Sequence, residues 1–280
     1  MEIKGTVTVS KKINAVIQTR GILKAVLCPT LPDEELARKF KNISYLFADG
    51  RNAGLRAVLP MSNALVMDYT FKAYPYEESI TVNVPKCESM QHAFEDSKIT
   101  AVTFTNGTKS LKLSNHLFNK CSKLTSITGL DLTNAETLSY AFNCLQMLTS
   151  LNLVSTAKVT NFSYAFYNSS ITQIQGLDTA SATNMDGAFA KTNITALDLN
   201  CQNVTTIKGA FAGCTQLSSL KLSGLTVSVS VASLPLTAEA LNALFTSLGE
   251  TQTGKITITG TTGASTCDKT IAEQKGWTVI

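Results

Sequence analysis

The chain has 280 residues, 44% of them hydrophobic, 16% charged, and a net charge of +4. Apolar content of that order supports a large core, and the charge lies below the roughly 25% of ordinary soluble domains, so electrostatic steering is modest. No stretch approaches the ~18 consecutive apolar residues of a membrane span, and the basic residues are not interleaved with aromatics as a nucleic-acid-binding face requires.

Residues 1–40 are predicted to form an N-terminal cap. Thr6–Val9 alternates like a strand, Ile13–Ile17 and Ile22–Leu27 suggest further strands, and Pro32-Asp33-Glu34-Glu35 opens a helix toward Phe40. Residues 1–60 hold ten Lys or Arg against five Asp or Glu. Lys4, Lys11, Lys12, Arg20 and Lys24 frame no apolar run of the ~7–15 residues that an export signal needs. Two expectations follow: a leader has been removed and the protein works at the cell surface or is secreted, or it acts in the cytoplasm or in a phage particle.

From residue 41 the chain repeats. Phe47, Phe71, Phe94, Phe118, Phe142, Phe166, Phe189 and Phe211 recur at intervals of 24, 23, 24, 24, 24, 23 and 22 residues. A unit that short cannot bury its own apolar face, so neighbours must stack and share one core. After Phe142 come Leu148, Leu151 and Leu153, a Leu-x-x-Leu-x-Leu spacing whose last two leucines share one face of a short strand. Looser triplets, such as Leu124, Ile127 with Leu130 and Ile171, Ile174 with Leu177, accompany other anchors. Ala93, Ala141, Ala165, Ala188 and Ala210 precede their phenylalanines and let a tight turn press on its neighbours. The prediction for residues 41–230 is an α/β-type solenoid of about eight repeats, with a parallel sheet on one wall and short helical or 3-10 turns on the other. Outward strand residues include Thr81, Thr103, Ser126, Asn152, Asp198 and Lys221.

Residues 231–280 read as a C-terminal cap of helix, strand, helix and strand, one continuous domain with the solenoid. Thr237 is a plausible N-cap; Leu241, Leu244, Phe245 and Leu248 make one helix face; Gly249 stops it; Trp277 belongs to the cap core. Gly249 to Lys255 carries part of a phosphate-loop spacing, but Ile256 stands where Ser or Thr would hold magnesium and the order is helix to strand.

Seven cysteines include no Cys-x-x-Cys pair, so free thiols are expected in place of a disulfide framework or a zinc site. Cys121, Cys144 and Cys214, two or three residues after an anchor, are assigned equivalent inward places.

The stretches Ala141-Phe142-x-Cys144, Val159-Thr160-Asn161-x-x-x-Ala165-Phe166 and Ala210-Phe211-x-x-Cys214-x-x-Leu217-x-x-Leu220-x-Leu222 resemble the BspA-like bacterial leucine-rich repeats over about residues 41–225. That resemblance implies a right-handed leucine-rich-repeat superhelix with capped ends. It also implies non-catalytic recognition, as in cell-surface adhesion to a host protein or glycan, with no cofactor. The alternative is a structural or receptor-binding part of a phage or prophage particle.

One repeat position invites a binding role. Two residues before each anchor stand Tyr45, Tyr69, His92, His116, Tyr140, Tyr164, Gly187 and Gly209. Stacked coils align the first six as a ladder of rings, which either shelters the turn wall or forms a stripe suited to sugars or peptide side chains. The two histidines alone, with no acid in view, fall short of a metal site. No Gly-x-Ser-x-Gly, His-Glu-x-x-His or dinucleotide fingerprint occurs.

Overall fold

The computed structural model describes residues 14–18, 22–26, 41–51 and 61–280. The expected strand at Thr6–Val9 and helix after Pro32 lie outside them. Strands β1 (Asn14–Gln18) and β2 (Ile22–Val26) pair antiparallel, Asn14 opposite Val26.

The repeating region is a parallel β-solenoid with few helices. Its strands are β3 (Ser79–Asn83), β4 (Ala101–Thr105), β5 (Ser126–Thr128), β6 (Ser150–Asn152), β7 (Gln173–Gln175), β8 (Ala196–Asn200) and β9 (Ser219–Ser223). They alternate inward and outward, so Ile80 and Val82 pair with Val102 and Phe104, while Thr81 faces out beside Thr103. The sheet is interrupted. It runs β3-β4-β5, then β6-β7, then β8-β9. Both interruptions follow a glycine: Gly129 and Gly176 adopt φ of +74° and +73°, each against the carbonyl of the preceding coil, Phe104 and Leu153. The extra residue ends its strand after three residues and delivers Leu130 to the core one place late, where it is buried.

The core is a file of phenylalanines. All eight anchors are at most 1% exposed, and successive rings stack at 4.9–6.1 Å from Phe47 to Phe211. A second file four residues earlier is also buried and includes Ile43, Met67, Met90, Leu138, Phe162, Met185 and Ile207.

The wall opposite the sheet consists mainly of turns, with a 3-10 helix at Ala48–Gly50. Alternate N–H groups close i to i+3 turns, as from Ala48 to Tyr45, while those between them reach the next coil, as from Tyr45 to Asp68 and from Phe47 to Thr70. Half of the backbone donors are thus spent between coils, which excludes a continuous helix here. A third seam of single parallel bridges links Asn42, Val66, Ser89, Leu113, Thr137, Asn161, Asn184 and Thr206.

Helix α1 (Ala238–Ser247) closes the open edge of β9. Ser247 accepts the Leu222 N–H through its Oγ (2.9 Å) and the Gly224 N–H through its carbonyl (3.0 Å). Thr237 caps α1 from the Ala240 N–H, and Leu241, Leu244, Phe245 and Leu248 are buried. Strands β10 (Val229–Ser230), β11 (Lys255–Thr257) and β12 (Thr278–Val279), with the short helix α2 (Thr270–Glu273), complete this end as a parallel sheet. Trp277 is 3% exposed and donates its Nε1–H to the Gly249 carbonyl (2.8 Å). Among the described residues no helix is long and apolar enough to cross a membrane.

Candidate functional site

The six-ring ladder forms as read. Tyr45, Tyr69, His92, His116, Tyr140 and Tyr164 stack at 4.7, 4.6, 4.4, 4.7 and 4.8 Å, with planes within 13° of parallel. Every one of the six has a left-handed backbone, φ between +54° and +60°, as do Gly187 and Gly209 at +62°. The conformation is imposed: the N–H of this residue reaches the next coil, and its carbonyl accepts the N–H three residues on, as in Tyr140 with Ser163 and Asn143. Each ring residue therefore carries a cost of about 1–2 kcal/mol that glycine escapes. Stacking of about 0.5–1.5 kcal/mol per pair offsets much of it.

This geometry restricts how the ladder meets a ligand. The faces of the interior rings are covered by their neighbours, so a sugar cannot lie flat on His92, His116 or Tyr140. Edges and polar tips remain. His92 and His116 side chains are 24% and 29% exposed, and Tyr45 as a residue is 45% exposed.

One residue after each anchor runs a second row that the sequence reading did not single out: Ala48, Lys72, Glu95, Asn119, Asn143, Tyr167. Glu95 is its centre. Its Oε2 accepts from the Lys72 ammonium (2.7 Å) and lies 2.9 Å from His92 Nδ1; its Oε1 accepts from Asn119 Nδ2 (2.8 Å) and lies 3.9 Å from His116 Nδ1. Burial alone pushes this carboxyl up, but hydrogen bonds from Lys72, Asn119 and His92 outweigh it and hold the group at about 2. Asn143 extends the row by donating to Asn119 Oδ1 (2.8 Å), and its own Oδ1 is buried without a partner.

An acid does therefore stand beside the two histidines, contrary to the expectation above. His92, Glu95 and His116 bring candidate metal ligands within 4.8 Å of one another. The arrangement nevertheless fits a cation poorly. An imidazole binds metal in its ring plane, and two planes 12° from parallel send their lone pairs side by side, not to a common point. The carboxylate also already holds an ammonium. The cluster is an ion-paired network, with the charge a metal would supply provided by Lys72.

Other sequence-picked residues are distributed as follows. Asp198, the strand-face acid, lies 3.8 Å from Lys221 on the neighbouring strand and is well exposed, so no carboxylate pair forms there. Cys121 and Cys214 are buried, each donating to the carbonyl of the preceding coil's anchor, Phe94 and Phe189, at 2.9 Å. Cys144 departs from its expected inward place. It falls two residues after its anchor, not three, in the left-handed region with φ +58°, and is only half-buried. Leu145 takes the inward place instead.

Stacked coils of one strand each, strand leucines facing a phenylalanine spine, and side-chain rows in register define a leucine-rich-repeat solenoid. A family model described as BspA type Leucine rich repeat region matches in six copies, over residues 55–172 and 138–233, and the chain belongs to that family. No curated protein and no solved structure matches it. The family is typically a non-catalytic scaffold, and its repeats suggest a role in protein interaction.

Proposed function

We propose that this chain is a recognition protein of the surface-adhesion type, working at the cell surface or after secretion. It holds a host protein or glycan without chemical change. One observation carries the reading: side chains, most of them polar, line up in register along the stacked coils, beside ring edges that are held in place by stacking. Solenoids use such extended faces for binding.

The test is retention of the folded chain on arrays of extracellular-matrix proteins and of glycans. Among the described residues the hydroxyls of Tyr140 and Tyr164 have no hydrogen-bond partner. Tyr140→Phe and Tyr164→Phe remove them and keep the stack. Retention that falls several-fold in these variants supports contact through the ladder edge, and equal retention excludes it. A chain retained by no array member at micromolar concentration overturns the reading.

A further inference from the structure

Beside the ladder, four successive coils leave an open groove of about 560 Å³. On one side lie the edges of His92 and His116 with Gln91, Asn115 and Ser139, one polar residue per coil. Leu113, Glu136, Thr137, Thr160 and Asn161, from the bridged seam and the residue before it, complete the lining.

The lining is part organised and part unsatisfied. Thr137 Oγ1 donates to Asn115 Oδ1 (2.5 Å), and Asn115 Nδ2 reaches Gln91 Oε1 (3.4 Å), which fixes the amide orientation. Asn161 Oδ1 accepts the Ser163 N–H (2.9 Å) and so turns its amide N–H₂ away from that bond. Among the described residues that N–H₂ and the Glu136 carboxylate have no partner. The groove thus offers a free donor at Asn161 and a free acceptor at Glu136, ready for groups that are both, as hydroxyls are.

From this juxtaposition we infer that the groove is a binding site for a neutral oligosaccharide lying along the solenoid axis, one sugar per coil. The inference rests on the recognition reading above and names its ligand class. Three features select it. The first is register: coils are spaced as the ladder rings are, 4.4–4.8 Å, nearer the advance of one hexose in an extended chain than that of one amino-acid residue. Each sugar then lies beside its own coil, meeting Gln91, Asn115 or Ser139 on one side and Leu113, Thr137 or Asn161 on the other, whereas an extended peptide advances about 3.3 Å per residue and loses register. The second is the scarcity of anchors. Protein partners draw most of their affinity from apolar or aromatic residues entering pockets, and the apolar side chain here is Leu113, 38% exposed. The third is charge. Glu136 is the one carboxylate in the lining and no Lys or Arg joins it, so sulfated, sialylated or uronic sugars are repelled.

The test is calorimetric titration of the full chain with β-1,4-linked glucose oligomers of two to six units. Matched N-acetylglucosamine and mannose series follow, with oligogalacturonate as the acidic counterpart. At least one neutral series should bind, with affinity rising to about four units and then levelling. Asn115→Ala and Asn161→Ala should each weaken it about fivefold to tenfold, the worth of one lost hydrogen bond. Thr81→Ala, on the sheet face, should leave it unchanged, and circular dichroism confirms the fold of each variant. Failure of every neutral series at millimolar concentration, affinity independent of length, indifference to the groove substitutions, or preference for the acidic oligomer overturns the inference. An array on which a protein is retained equally by both Asn variants sinks the groove site while leaving the recognition role intact. Retention of nothing on the arrays sinks the role itself.

Discussion

Tyr164 leans over Gly187: a Cβ placed on that glycine would lie 2.5 Å from the tyrosine Cε1. One coil further, a Cβ on Gly209 would meet nothing within 4 Å, although the backbone is the same, φ +62°. The two glycines form a matched pair that separates backbone strain from collision. Gly209→Ala should cost about 1 kcal/mol, the left-handed penalty alone. Gly187→Ala should cost about 2–4 kcal/mol, because the last ring of the ladder must move as well. Urea denaturation of both variants checks the difference, and equal losses would show that Tyr164 has room to yield.

The same backbone predicts an inverted substitution order at Tyr140. Either Ala or Gly there removes two stacks, to His116 at 4.7 Å and to Tyr164 at 4.8 Å. Alanine keeps the left-handed strain and glycine sheds it, so Tyr140→Gly should be the more stable variant by about 1 kcal/mol. At most sites in regular structure the order is the reverse. A more stable alanine variant would mean that φ at this position relaxes once the ring is gone.

What the sequence disclosed and what it hid follow from how each row is constrained. The phenylalanine file was legible because every coil buries its anchor against the next, which leaves one acceptable side chain. The ladder was legible for its composition, yet its strained backbone was signalled only by the glycines at 187 and 209. Glu95 escaped notice because the row after each anchor keeps no one residue type, and its pairing depends on Lys72 and Asn119 in neighbouring turns, 23 and 24 positions away. The groove was hidden for a similar reason, since two rows that are separate in sequence meet only when the turn wall folds. The displaced Cys144 shows how one position of slip within a turn exchanges an inward place for a half-buried one.

The thiols offer a chemical readout of the core. Burial pushes Cys87, Cys121 and Cys201 up to about 12 and raises Cys214 as well. A thiol rather than a thiolate is a poor nucleophile. These four should resist aromatic disulfide reagents at neutral pH in the native chain and react fully in denaturant. Cys144, half-buried on the turn wall, should be open to attack without unfolding. Mass spectrometry of the labelled native protein assigns the sites, and modification of Cys121 at the rate of Cys144 would mean that the coils part readily.

Acid should loosen the middle of the ladder in two stages. His116 titrates below the ordinary imidazole value because burial disfavours its charged form and His92, Lys72 and Lys120 repel the added proton, against the pull of Glu95. A folded value below the unfolded 6.5 means that the unfolded chain binds the proton first, so stability declines as pH falls below about 6.5. Glu95 acts lower down. Its folded value of about 2 lies beneath the ordinary 4.5, so its contribution is complete above 4.5 and is lost as pH falls from there toward 2. His116→Tyr, which puts into the ladder the ring found at the adjacent Tyr140, should remove the upper stage while leaving the lower. Glu95→Gln should lower stability at pH 7, because Lys72 loses its partner, and should flatten the lower stage. Denaturant midpoints measured from pH 7.5 to 3 distinguish the two. A wild-type profile that stays flat between 6.5 and 5 would show that proton uptake at His116 does not oppose folding.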